Sequence, residues 1–370
     1  MSGIYIHIPF CRKKCSYCDF HFSTSFSSYR SQMIQLISDE LKDRLIELSD
    51  SDPKTIYFGG GTPSLLEKHE LKILLQPIFN KYPLEQFSEI TLEANPEDII
   101  EDSLNNWKEL GINRLSIGIQ TFKESDLTWM NRAHTLEESR NCIDLAKKTG
   151  FSNISLDLMY GLPDLTLAEW EKHINEIISF DVNHISAYCL TVEKGTLLQK
   201  KVHNKSLSIP DEDYIIEQYK TLIFKLKNVG INQYEISNFS KIGCQSIHNS
   251  NYWSGQKFIG VGPSAHSFDG KKRRWNIANN AIYMKKIDSF EVEVLSENER
   301  WNEYILTRLR TTNGINLVEL KNLFDVDNQF LQTKEEYSKQ NWLLEEDNQI
   351  KLTQEGQLRA DFIASEFFRV

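Results

Sequence analysis

Six short apolar runs, each separated from the next by a longer segment of helical periodicity, fill the first half of this chain. GIYIHIPF, KTIYFGGG, FSEITLEAN, RLSIGIQ, NISLDLMYG and HISAYCLTV read as strands, and residues 29–49, 65–80, 98–110, 124–149 and 167–180 as the helices between them. In the first helix Met33, Leu36, Ile37, Leu41, Leu45 and Leu48 are spaced for one face. Strand–helix alternation of this kind requires a parallel sheet with helical crossovers. It takes the form either of an open doubly wound sheet or of a full or partial barrel. In both, ligands bind at the C-terminal ends of the strands, where the polar and glycine-rich motifs fall.

From residue 193 the rhythm changes. Residues 193–210 read as a loop, 211–229 as a helix, and the stretch from Tyr234 to Phe268 as irregular chain dense in aromatic and polar residues. Helical patterns at 296–310, 316–322 and 334–342, a hairpin turning near Asn348 and a last helix predict a small helical, winged-helix-like module. The expected divisions are a core over 1–195, a covering region over 196–295 and the module over 296–370.

Composition narrows the function. The net charge of −10 argues against a general nucleic-acid binder, and the basic run Lys271-Lys272-Arg273-Arg274 reads as a solvated hairpin or loop. No apolar run can span a bilayer, so any membrane contact is expected to be peripheral. Six cysteines in 370 residues with no secretory leader predict a reducing, cytoplasmic setting.

Three of those cysteines, Cys11, Cys15 and Cys18, share one loop in HIPFCRKKCSYCDF. Three thiolates can hold three irons of a cubane cluster and leave the fourth open for chemistry. Structural zinc needs a fourth ligand, for which His7 or His21 is available, and no second cysteine pair follows. Cys142 and Cys189 read as packing thiols. An open iron needs a ligand, and Gly59-Gly60-Gly61-Thr62 at the end of the second strand lets backbone groups approach a small polar molecule. Glu93, Gln120, Arg132 and Asp157 fall at or near other strand ends. Charge on central strands is costly unless paired or liganded, so these residues either contact a ligand or, for Asp157 and Arg132, form a buried ion pair.

These motifs resemble the radical S-adenosylmethionine (SAM) superfamily: the cysteine triplet with Tyr17 before its last member, and the glycine run. The resemblance implies a partial (β/α)6 TIM-like barrel holding a [4Fe-4S] cluster. Its open iron would chelate SAM, whose cleavage gives a 5′-deoxyadenosyl radical, with Gly59, Gly60 and Gly61 at the methionine amino group. FGGGTPS, LEANPE, RLSIGIQTF, Asn131-Arg132, LDLMYGLP and YEISNF are similar to the oxygen-independent coproporphyrinogen III oxidase group. By that likeness Thr62, Glu93, Gln120, Arg132 and Asp157 contact the cofactor, and Tyr5 is an aromatic residue beside the cluster.

Two features separate oxidase from haem chaperone within that group. The oxidase has a further cysteine two positions after the third, where this chain has Phe20, and it carries an N-terminal extension before the first strand. His248-Asn249-Ser250-Asn251-Tyr252-Trp253 matches the His-Asn-x-x-Tyr-Trp motif of the HemW group of haem chaperones. The resemblance implies haem as cargo, a respiratory cytochrome or other haemoprotein as recipient, and a flavodoxin or ferredoxin as electron donor if SAM turns over. His248 is the candidate axial ligand, with Tyr252 and Trp253 flanking the macrocycle. His266 and Cys244 are secondary candidates.

Overall fold

A computed structural model describes residues 2–286 and 289–369. The first half folds as β1 (Ser2–Ile8), α1 (Arg30–Arg44), β2 (Pro53–Gly60), α2 (Lys68–Phe79), β3 (Glu89–Ala94), α3 (Glu101–Glu109), β4 (Arg114–Gln120), α4 (Glu124–Met130), α5 (Leu136–Lys148), β5 (Asn153–Tyr160), α6 (Leu167–Ser179) and β6 (His184–Cys189). β1 to β6 lie side by side in sequence order, every pair parallel. Ile4, Ile6 and Ile8 of β1 are fully buried, as a strand covered by helices requires. Capping boxes Thr135/Glu138 and Thr166/Glu169 start α5 and α6 by satisfying orphan N–H groups. Among the described residues β1 and β6 do not pair with each other, so the six strands form a partial barrel.

The chain continues through α7 (Leu197–His203), α8 (Glu212–Asn228), β7 (Asn232–Glu235), β8 (Asn238–Ser240), α9 (Ile247–Trp253), β9 (Lys257–Val261), β10 (His266–Phe268), β11 (Lys272–Asn276), α10 (Asn280–Lys285) and β12 (Phe290–Val294). Here the structure departs from expectation. The loop read over 193–210 contains α7, capped where the Thr196 hydroxyl accepts from the Gln199 N–H and anchored by buried Leu198. The stretch read as irregular supplies four short strands. β9 runs parallel to β1, β8 antiparallel to β6, and the sheet reaches twelve strands in the order β12-β11-β10-β9-β1-β2-β3-β4-β5-β6-β8-β7. Strands of three to five residues carry too little periodicity to be recognised, and β9 contains Gly260, where any Cβ would collide with the His266 carbonyl. The basic run falls on the β10–β11 turn and on β11, with Arg273 paired to Glu303 at 2.6 Å and Arg274 stacked 3.8 Å over Phe290.

The C-terminal module comprises α11 (Glu297–Leu309), β13 (Ile315–Asn316), α12 (Leu317–Leu323), α13 (Asn328–Lys339), β14 (Leu343–Glu346), β15 (Gln349–Leu352), α14 (Gln354–Gln357) and α15 (Ala360–Glu366). It has its own core, with Trp301, Ile305, Phe330, Ile350 and Ile363 at its centre. Asp347 and Asn348 both take positive φ between β14 and β15, the tight hairpin geometry expected near Asn348. α13 begins six residues earlier than the predicted 334, because the Asp327 side chain caps it by accepting from the Phe330 N–H. The module is tied back to the barrel side by Arg308 Nη1 donating to the Trp253 carbonyl at 2.8 Å and by the Ile236 N–H donating to the Arg310 carbonyl at 3.1 Å.

Candidate functional site

The cysteine loop leaves the C-terminal end of β1 and is fixed by backbone bonds. Ser23 N–H donates to the Pro9 carbonyl and Cys11 N–H to the Ser23 carbonyl, closing the loop. At its tip Ser16 N–H donates to Met130 on α4 while the Ser16 carbonyl accepts from Leu198 on α7. The helix missed in the sequence is thus part of what holds this loop. Cys11, Cys15 and Cys18 line a cavity of about 570 Å³ together with Gly60, Gly61, Thr62, Glu93, Gln120, Arg132 and Asp157.

Each polar side chain in the cavity has a definable state. Thr62 Oγ1 donates to the Cys11 sulfur at 3.2 Å. Arg132 donates from Nη1 to the Cys15 sulfur at 3.6 Å and from Nη2 to Asn95 Oδ1 and the Gly118 carbonyl, both at 2.8 Å. Glu93 accepts from the Tyr57 hydroxyl at 2.8 Å, and burial pushes its carboxyl up to about 7. Asp157 accepts from Ser116 at 3.3 Å and is raised, again by burial, to about 6. No Asp157–Arg132 ion pair forms among the described residues, so the purely structural pairing considered from the sequence is absent. Gln120 sits in the left-handed region at φ 70. Gly60 has φ 106, and a Cβ there would lie 2.6 Å from the His7 ring; at Gly61 it would lie 2.5 Å from the Phe10 carbonyl. The glycines are therefore required by the turn that brings backbone to the cavity wall.

The residues present fit an iron–sulfur cluster with SAM. Burial pushes the free thiols of Cys11 and Cys18 up to about 12 and 11, so thiolates at these positions need a bound cation to hold their charge. Buried Arg132 Nε has no partner in the protein and is available to an anionic ligand. Among the described residues no three Cys, His, Asp or Glu side chains converge on one metal ion. That bears on a mononuclear site, whereas each cysteine of a cubane triplet binds a different iron. Asn95 and Tyr57 were missed in the sequence. Asn95 belongs to the LEANPE run, but nothing local to it in the sequence shows that it orients Arg132.

Three expected residues, Tyr5, Gly59 and His248, lie outside this cavity. Tyr5 stacks on Tyr57 at 6.1 Å, and its hydroxyl is 3.3 Å from His7 Nδ1. Its place is beneath the glycine turn, where a Cβ on Gly59 would meet its ring at 2.9 Å. His248 on α9 is 1% exposed. Its Nδ1 is 2.7 Å from Thr55 Oγ1, its Nε2 is 2.7 Å from the Tyr252 hydroxyl, and its ring stacks on Tyr57 at 5.0 Å. Glu89 fastens the start of α9 by accepting from the Ile247 and His248 N–H groups. His248, expected as the candidate axial ligand, thus has partners for both ring nitrogens inside the barrel in this structure.

A second cavity, of about 980 Å³, lies between the barrel and the C-terminal module. Asp19, Phe20, Gly60 and Glu93 line both cavities, so the two adjoin. Phe20, 68% exposed, stands at their junction.

Comparison with known proteins agrees with this architecture. A family profile described as the radical SAM superfamily matches residues 5–177, and one described as the HemN C-terminal domain matches residues 295–359. The solved coproporphyrinogen III oxidase (HemN) of Escherichia coli has the same fold, with a TM-score of 0.85 at 20% identity, covering 99% of this chain and 90% of that one. Fold and cavity thus define a radical SAM protein with a HemN-type C-terminal module. The chain is 33% identical to heme chaperone HemW of Bacillus subtilis (strain 168) over 99% of both chains. It is also 35% identical to the mitochondrial radical S-adenosyl methionine domain-containing protein 1 of Danio rerio, over 72% of this chain and 60% of that one. The chain belongs to the HemW family. Membership in the radical SAM superfamily supports SAM and an iron–sulfur cluster as the groups this cavity takes. No described helix is long and apolar enough to cross a membrane.

Proposed function

We propose that this chain is a haem chaperone, binding haem and delivering it to a recipient haemoprotein such as a respiratory cytochrome. The observation that carries the reading is its end-to-end likeness to a protein named heme chaperone HemW, at 33% identity over 99% of both chains. Phe20 supports it. An exposed phenyl ring occupies the position where the oxidase group has a further cysteine, between the cluster cavity and the larger one.

In this reading Cys11, Cys15 and Cys18 hold three irons of a [4Fe-4S] cluster, and Thr62 and Arg132 temper the charge on the sulfurs by donating to them. Arg132 Nε, with Gln120 beside it, receives the SAM carboxylate, the Gly60–Gly61 backbone its amino group, and Glu93 and Asp157 its ribose hydroxyls. When bound, cluster and SAM supply one-electron chemistry at a sulfonium bond. The protein's own part is to exclude water, hold the ligand and keep Glu93 and Asp157 poised near neutrality.

The alternative is radical oxidative decarboxylation of coproporphyrinogen III, on the same fold. The two are separated by incubating the anaerobically reconstituted chain with haem and an apo-cytochrome, and in parallel with coproporphyrinogen III, SAM and reduced flavodoxin. Haem transfer without protoporphyrinogen formation is expected. Porphyrinogen turnover without transfer would make the oxidase the correct reading.

A further inference from the structure

We infer that the cavity between the barrel and the C-terminal module holds the haem macrocycle, with the imidazole of His266 as the iron ligand and Arg300 as a partner for a propionate. The inference rests on the chaperone reading and says where in this chain the cargo binds.

Size and lining come first. At about 980 Å³ the cavity is at the upper end of the range for small-molecule sites, roughly 300–1,000 Å³. Phe20, Phe268 and Trp253 give it apolar walls against which a flat ring system can lie.

The choice of ligand follows from which histidine nitrogens are free. Three histidines line this cavity: His7, His21 and His266. His7 uses both nitrogens, on the Tyr5 hydroxyl and the His21 carbonyl. His21 has Nε2 engaged by Asn280 Oδ1 at 2.8 Å, which leaves it Nδ1 alone, whereas both ring nitrogens of His266 are free among the described residues. His266 makes no side-chain hydrogen bond among the described residues and is exposed to the cavity. Its ring is held by stacking on Trp275, with centroids 6.1 Å apart and planes 23° from parallel, which leaves the nitrogen-bearing edge open. Burial and the nearby Arg273 charge both favour the neutral imidazole, the form that binds iron.

The same reasoning selects the cation. Arg273 is paired with Glu303, and Arg308 with Glu319 and the Trp253 carbonyl. The Arg300 guanidinium lines the cavity and has no ion pair among the described residues. A propionate would supply the carboxylate it lacks.

The test is a titration of the full-length chain with ferric haem, and separately with metal-free protoporphyrin IX. Absorption and electron paramagnetic resonance spectra report the iron, and tryptophan fluorescence reports the porphyrin. His266→Ala should shift the Soret band, change the spin state and weaken haem binding by about ten-fold or more, while leaving metal-free porphyrin binding unchanged. Arg300→Ala should weaken both ligands by about ten-fold without altering the iron spectrum. If His266→Ala keeps the wild-type spectrum and affinity, and His248→Ala changes them instead, the inference is overturned and the chaperone reading stands. If the unaltered chain binds no haem, both are overturned.

Discussion

His248 Nε2 lies 2.7 Å from the hydroxyl of Tyr252, one turn further along the same short helix, so the His and Tyr of the His-Asn-x-x-Tyr-Trp motif satisfy each other inside the protein. The motif's third aromatic, Trp253, hands its carbonyl to Arg308 of the C-terminal module and carries the Arg310 guanidinium 5.2 Å from its ring centre. The motif therefore joins barrel to module, and its role in holding haem is a separate question from its role in holding the fold.

Replacing His248 with Ala should destabilise the protein by about 2–4 kcal/mol, because a fully buried ring is lost and two buried hydroxyls lose their partner. Urea denaturation read by tryptophan fluorescence measures this. A wild-type midpoint in His248→Ala would show that α9 does not depend on its histidine.

Gly60→Ala should fail to bind SAM after cluster reconstitution and should lower stability by several kcal/mol, since φ 106 and the His7 ring both oppose a Cβ. Gly230→Ala is the matched control. Its φ is +78, but nothing lies within 4 Å, so it should cost only about 1 kcal/mol and leave SAM binding intact. Equilibrium dialysis with labelled SAM, beside thermal melts of both variants, distinguishes steric closure of the cavity from backbone strain.

Glu93 gives a pH dependence with a definite sign. Its carboxyl titrates near 7 in the folded chain and near the ordinary 4.5 when unfolded, so the native state binds more protons between those values. Its contribution to stability therefore falls as pH rises from 4.5 through 7. Glu93→Gln should raise the melting temperature of the cluster-free protein by about 2–4 °C at pH 8 and leave it nearly unchanged at pH 5. An equal change at both pH values would mean that the Glu93 charge is not the cause.

Arg132→Met should reduce SAM affinity of the reconstituted protein by at least about ten-fold, because this cavity-lining residue donates to Cys15 and keeps a buried Nε without a protein partner. Cys15→Ser should instead lower bound iron. Iron and sulfide analysis together with SAM binding separates the two, and normal SAM affinity in Arg132→Met would remove this residue from the cofactor's contacts.

Much of the architecture was legible because long-range periodicity carries it. β4 falls at Arg114–Gln120 as read, and the ten residues placed around the cluster cavity lie on strand ends and adjoining loops whose polarity broke an apolar pattern. What escaped was whatever depends on partners remote in sequence. α7 is short and looked like loop, yet its Leu198 backbone holds the cysteine loop. His248 read as a candidate haem ligand from its motif, and its polar and aromatic neighbours in sequence did not show what it would touch. Its hydrogen-bond partner Thr55 and its stacking partner Tyr57 sit on β2, where they read as ordinary strand residues.

The parallel seam between β1 and β9 has a bearing on biosynthesis. Ser2 is registered against Lys257 and Ile6 against Val261, so β1 leaves the ribosome about 250 residues ahead of one of its two neighbours. Such distant pairing is slow, and the waiting edge invites wrong partners. Emerging chains should accordingly spend an extended interval as clients of folding helpers, and the cysteine loop that follows β1 would remain incompletely walled, and its thiols exposed to oxidants, for the same interval.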